Sequence, residues 1–217
     1  MADNFLESRL EAYHNGKKRT VVKQVGQTLD SLLLRNRSHR GYDKRCVVSL
    51  GTLRLVVGVN DKIPSARNQQ ALRFKLITRD NGADKVLENI KLGGALPDLH
   101  LPLKGSEPEA FIIVCRAAPE NKLVYIDAGI SAQSMLLKAV ELGYNGVIIG
   151  AFNKTEITAA FRLPYEPLLI LAIGKGADNI RLTGISEEES HQYYRRDGVH
   201  YVPKVRVDEL IIPDTPK

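Results

Sequence analysis

The stretch Val124–Leu142 constrains the fold more than any other part of this 217-residue chain. Ile130, Met135, Leu136, Leu137, Ala139 and Val140 place apolar side chains on more than one face of a helix, whereas a helix with one wet side needs a single apolar stripe. Such a helix belongs between layers. Gly143 supplies its stop. Short apolar runs bounded by turn residues read as strands at Arg73–Thr78, Ala110–Cys115, Val147–Ile149 and Leu168–Ile173. Helical patterns alternate with them at Ser49 to Val57, at Ala83–Ile90 and in a short segment after Asn153.

Before these elements, Asp3 caps a first helix with Phe5, Leu6, Leu10 and Tyr13 on one face, ending at Asn15-Gly16. A second helix is predicted to begin after Thr20, with Val22, Val25, Leu29, Leu32 and Leu33 at helical spacing. A Gly/Pro-rich connection runs from Gly93 to Pro108, and the tail from Ile180 reads as extended. With 43% hydrophobic residues the chain can bury a core as one domain over 1–217, or as one protomer of an intertwined dimer. Residues 1–20 are read as an N-terminal helical extension and 177–217 as a C-terminal extension.

Several functional classes are disfavoured. The net charge of +6 is distributed with Lys and Arg alternating with Asp and Glu, and aromatic residues make up only 6%, so no nucleic-acid-binding stripe forms. Strongly apolar stretches such as Leu168–Ile173 are too short to cross a bilayer, and Met1-Ala2-Asp3-Asn4 is no basic-then-apolar signal, which leads us to expect a cytoplasmic protein with no membrane partner. Cys115 reads as core and Cys46 stands alone, and the five histidines show no metal-ligand spacing. The turn Gly174-Lys175-Gly176 lacks the spacing of a phosphate loop and reads as structural.

Two basic clusters near opposite ends carry the chemistry. Arg37-Ser38-His39-Arg40 follows a helix and Lys204-Val205-Arg206 lies in the tail, each combining forked or flexible cations with small groups, as a phosphate monoester requires. Such a phosphate carries roughly two negative charges, so a site drawing on both clusters could surround it. Between them lies Pro64-Ser65-Ala66-Arg67-Asn68-Gln69-Gln70, leading into the strand at Arg73. These three elements, with Asp127-Ala128-Gly129 in the long helix and Ile149-Gly150-Ala151-Phe152 closing a strand, resemble the FMN-dependent nitroreductase family, in order from about Leu32 to Ile211.

The resemblance implies an α+β fold, with a central, mainly antiparallel sheet flanked by helices, in an intertwined homodimer with an extended C-terminal arm. It implies FMN at the subunit interface, NADH or NADPH as electron donor, and a nitroaromatic, quinone or similar small molecule as acceptor. Arg37, Ser38, Arg40, Lys204 and Arg206 would surround the phosphate, ribityl chain and nearby flavin oxygens, with Arg40 also stabilising the reduced ring. Pro64, Ser65 and Ala66 would shape a loop, supplied by the partner subunit, whose Asn68 and Gln70 amides meet polar groups of the cofactor. Gly150 and Ala151 would bring backbone against the flavin ring, where a missing side chain permits close approach. No catalytic side chain is required, because the flavin carries the chemistry. The same fold would also serve a reductive dehalogenase, a heterocycle dehydrogenase or a non-catalytic flavin-binding protein. Two departures stand out: Asn36 replaces a family arginine, and Ala71-Leu72 replaces Pro-Trp. The role of His39, the acceptor and the preference between NADH and NADPH are left open.

Overall fold

The protein is described by a computed structural model covering residues 27–93 and 101–214. The first helix expected from Asp3 lies outside these residues. Four strands form the central sheet: β1 (Leu72–Ile77), β2 (Phe111–Arg116), β3 (Asn145–Ile149) and β4 (Glu166–Gly174). Their order is β1-β2-β4-β3 and every neighbouring pair is antiparallel, with Phe74 opposite Val114, Ile112 opposite Leu171, and Val147 opposite Ala172. The fold is the α+β, mainly antiparallel architecture that the resemblance implied.

Alternation along β2 builds two cores. Phe111, Ile113 and Cys115 pack on one face with Val147, Ile149, Ile170 and Ala172. That face is closed by α3 (Ala83–Leu87) and α5 (Lys154–Phe161), through Ala83, Val86 and Ile157. Ile112, Val114, Leu171 and Ile173 point the other way, against α2 (Leu50–Val57) and α4 (Lys122–Glu141). This arrangement covers both faces of the sheet, which is why its strands read as apolar runs and not as apolar/polar alternation.

The long helix α4 sits where its composition requires. Asn121 caps it, its side-chain oxygen accepting from the amides of Leu123 (2.9 Å) and Val124 (3.2 Å). Gly143, at φ 87°, ends it, and the Tyr144 amide turns back to the Ala139 carbonyl. By length and composition α4 would pass for a membrane span, yet half of its apolar window is buried inside the protein, as in a core helix.

Three boundaries differ from the sequence reading. Of the helix expected after Thr20, the described residues hold α1 (Leu29–Arg35), which starts after Thr28: this residue is extended (ψ 155°) and caps the helix by accepting from the Ser31 amide. The helix expected to reach Ile90 stops at Leu87, because the backbone of 89–91 bonds instead to residues 151–153, through Lys91 N–H to Ala151 and Asn153 N–H to Asn89. The tail from Ile180, read as extended, pairs its strands into a second sheet. β5 (Asn179–Ile185) pairs parallel with β7 (Val199–Val205), and β6 (Tyr194–Arg196) pairs antiparallel with β7. A last turn, α6 (Val207–Leu210), follows.

Candidate cofactor-binding site

The Arg37 cluster leaves α1 and crosses the edge of the central sheet. Ser38 bridges to Gly146 of β3, and the His39 amide donates to the Gly146 carbonyl at 3.2 Å. Gly146 admits no side chain: a Cβ would stand 2.5 Å from the Ala172 carbonyl oxygen and 2.6 Å from Leu136. Asp178 then fixes the segment from behind. One oxygen accepts the amides of Arg40 (2.7 Å) and Gly41 (3.0 Å), and the other accepts from the Arg195 guanidinium at 3.0 Å. Burial pushes the Asp178 carboxyl up, but the two amides and Arg195 outweigh it and hold it below the usual carboxylate range. This carboxylate ties the Arg37 cluster to the C-terminal sheet.

The two basic clusters therefore meet. Arg37, Ser38 and Arg40 line a cavity of 330 Å³ together with Tyr193, His200 and Lys204. Strand β7 alternates, so His200, Val202 and Lys204 face the cavity together. Arg37 donates to the Leu33 carbonyl at 2.7 Å, while its Nε is buried with no partner among the described residues. Burial lowers the Arg37 pKa from its ordinary value. Among the described residues, neither Arg37, Arg40 nor Lys204 has a carboxylate within 4.0 Å. Uncompensated cations with an orphaned guanidinium nitrogen fit an anionic ligand such as a phosphate ester.

Arg206 stands apart. The strand ends at Val205, and Arg206 turns into α6 with its guanidinium 3.7 Å from Glu209, outside the cavity lining. His39, left open by the sequence, is buried, with its ring against Gly176 and Nδ1 3.8 Å from Asp178. Desolvation, with Arg37, Arg40 and Lys175 adding to it, keeps its pKa low despite Asp178. Gly174 and Gly176 pack against the Tyr42 and His39 rings, which makes the Gly-Lys-Gly segment a structural turn.

The Pro64 loop lies elsewhere. Pro64, Ser65 and Gln70 line a separate cavity of 270 Å³ with Asp127 and Ser131 of α4. Asp127 accepts the Ala66 amide at 2.8 Å, Ser65 Oγ accepts the Gln70 amide, and Gln70 donates to the Asn68 side chain. Arg67, Asn68 and Gln70 all have left-handed backbone, at φ 52°, 53° and 48°. That conformation costs about 1–2 kcal/mol per ordinary residue, and such strain concentrates at ligand clamps. The loop sits at Asp127 while α1 packs farther along α4, with Asn36 bonded to Gln133 and Arg35 to the Val140 carbonyl. At about 1.5 Å per residue, these contacts lie about 9 Å and about 20 Å from Asp127 along the helix axis, and the loop and the cluster line separate cavities with no residue in common. One protomer does not bring the loop and the Arg37 cluster together.

Gly150 follows β3 and is exposed, and a Cβ added there would meet nothing within 4 Å. About 13 Å of extended chain separates it from Gly146, beside Ser38. Ala151, also exposed, uses its carbonyl to hold the Lys91 amide at 2.9 Å and lines a shallow cavity with Phe152 and Asn153. Tyr193, Arg195 and His200 escaped the sequence reading because the tail was read without its strand register, and Asp178 because its partners at Arg40 and Gly41 are distant in sequence.

Residues 33–175 match the model of the nitroreductase family. A nitroreductase family protein of Clostridium difficile shares the fold with a TM-score of 0.60 at 23% identity, over 88% of this chain and 100% of that one. A protein of Exiguobacterium sibiricum assigned as a nitroreductase, solved in complex with FMN, gives 0.59 at 21%, covering 71% and 91%. One of Staphylococcus epidermidis assigned as an NAD(P)H:FMN oxidoreductase gives 0.57 at 20%, covering 72% and 92%. No curated protein matches the chain.

Proposed function

Because the chain belongs to the nitroreductase family, we propose that it is an FMN-dependent oxidoreductase, taking hydride from NADH or NADPH and reducing a nitroaromatic, quinone or similar small acceptor. The observation that carries this reading is the meeting of Arg37, Ser38 and Arg40 with Lys204 around one cavity, where, among the described residues, three cations lack carboxylate partners and Arg37 Nε is orphaned. When bound, FMN supplies a carrier that accepts hydride and hands electrons on. The protein's share is to hold and orient it. Arg37, Arg40 and Lys204 would neutralise its phosphate, and Ser38 adds a hydroxyl. The open face at Gly150 and Ala151 leaves room for a flat ring system.

The strained Pro64 loop, with Asn68 and Gln70, would complete this site from the partner subunit of a homodimer. Within one protomer the loop and the Arg37 cluster line separate cavities, which supports that division. Exposed apolar side chains at Leu29 and Leu34 of α1 and at Leu210, Ile211 and Ile212 of the tail give such a dimer surface to bury. Free Cys46 and Cys115 accord with a reducing, cytoplasmic setting.

The protein should purify yellow, release FMN on denaturation and oxidise NADH or NADPH in the presence of a quinone or a nitroaromatic. Bound FMN without such turnover would favour a flavin carrier, a dehalogenase or a heterocycle dehydrogenase on this fold. A colourless protein that takes up no added FMN would overturn the assignment.

A further inference from the structure

Lys204 has a use in the phosphate cavity, but its neighbour on the same face of β7 does not. His200 lines that cavity, is only 4% exposed, and its Nδ1 is buried with no hydrogen-bond partner among the described residues. A buried imidazole with an orphaned nitrogen is costly unless something arrives to use it. Tyr193 meets the ring edge-on, with centroids 5.1 Å apart, and the Arg40 guanidinium stands 5.4 Å from the Tyr193 ring centre. The charged and titratable groups around it are Arg37 and Arg40 after α1, Asp178 ahead of β5, Tyr193 and Arg195 at β6, and Lys204 on β7, with His39 beyond Asp178.

We propose that His200 is a phosphate-reading residue whose protonation is coupled to binding: neutral in the ligand-free cavity, it takes up a proton as a phosphomonoester dianion enters and donates a hydrogen bond to it. The inference rests on the phosphate assignment of this cavity and extends it to a residue outside the two basic clusters. In the ligand-free protein, burial and the fields of Arg40 and Arg195 lower the His200 pKa against the opposing pull of Asp178. A dianion beside the ring reverses the sign of the local field. The pKa of His200 therefore rises on binding, and between its free and bound values the complex holds one more proton than its separated parts. Affinity must then increase as pH falls through that window, by up to about tenfold per pH unit for one proton. The window closes near pH 6, where the phosphate itself takes up a proton.

The test titrates the full chain, stripped of flavin, with FMN and with riboflavin between about pH 6 and 8.5, following quenching of flavin fluorescence. For the wild type, FMN should bind more tightly as pH falls while riboflavin, lacking the phosphate, stays flat. His200→Gln keeps a donor that cannot titrate, so FMN should still be preferred but with the pH slope gone. The same slope in His200→Gln as in the wild type would overturn the role of His200 and leave the phosphate cavity standing. Equal binding of FMN and riboflavin by the wild type would overturn both. Should His200→Gln fail to fold, calorimetry of the wild type in two buffers of different ionisation enthalpy decides: proton uptake with FMN and none with riboflavin is expected, and no uptake with either refutes the proposal.

Discussion

Every residue of β2 from Phe111 to Cys115 is buried, whereas β5 and β7 of the C-terminal sheet bury only Ile185 and His200 between them. The central sheet is held by apolar contact on both faces. The C-terminal sheet is held by side chains that are individually weak or polar: Tyr194 stacks on Tyr201 at 5.0 Å, Arg196 lies over the Tyr201 ring, and Arg195 pairs with Asp178. Burial of that first kind is insensitive to pH and ligand. The second kind responds to both, and it is the second sheet that delivers Lys204 and His200 to the cavity. The cavity thus lies where the pH-sensitive sheet meets the Arg37 cluster at the edge of the apolar one, the two being tied through Asp178.

The largest effect should come from breaking the first region. Ile112→Ala removes a fully buried side chain between the sheet and α4, and should cost about 2–5 kcal/mol in a denaturant titration. Leu182→Ala, in the partly exposed β5, should cost less than about 1 kcal/mol. Equal costs would erase the contrast.

A subtler effect is expected at the junction. Asp178→Asn weakens the hold on the Arg40 and Gly41 amides, so their hydrogen exchange should accelerate while amides of β2 and β4 stay protected. The sign of the pH effect follows from two depressed pKa values. Asp178 sits below its unfolded value, so its contribution is intact above about pH 4 and lost as pH falls through its folded value. His39 is also lowered, by burial first, so the neutral ring contributes fully above about pH 6.5 and less as the unfolded chain gains a proton below it. The wild-type melting temperature should therefore fall in two stages on acidification, and Asp178→Asn should lose the lower one. An unchanged profile in the variant would show that Asp178 does not couple the two regions.

The central region was legible because its physics is periodic. Multi-face apolarity placed α4 between layers, Gly143 stopped it, and continuous apolar runs gave all four strands within a few residues. The start of α1 was missed because Val22 and Val25 continue a helical spacing, whereas the signal for its start was the capping pattern Thr28 with Asp30. The C-terminal sheet was harder. Few of its residues are buried, so apolar alternation is faint, although His200, Val202 and Lys204 do sit at period two. Asp178 has no local signature at all: its partners at Arg40 and Gly41 are set by the fold, not by spacing. Arg206 shares the parity of Lys204, and only the end of the strand takes it away from the cavity.

Side-by-side binding of FMN and riboflavin to flavin-free protein tests the phosphate cavity most directly. The wild type should prefer FMN, and Arg37→Ala/Lys204→Ala should lose that preference, by roughly thirtyfold or more if one desolvated charge contact is broken. Arg206→Ala, pointing away to Glu209, should change it least. An FMN preference that survives in Arg37→Ala/Lys204→Ala would contradict the assignment of this cavity to the phosphate.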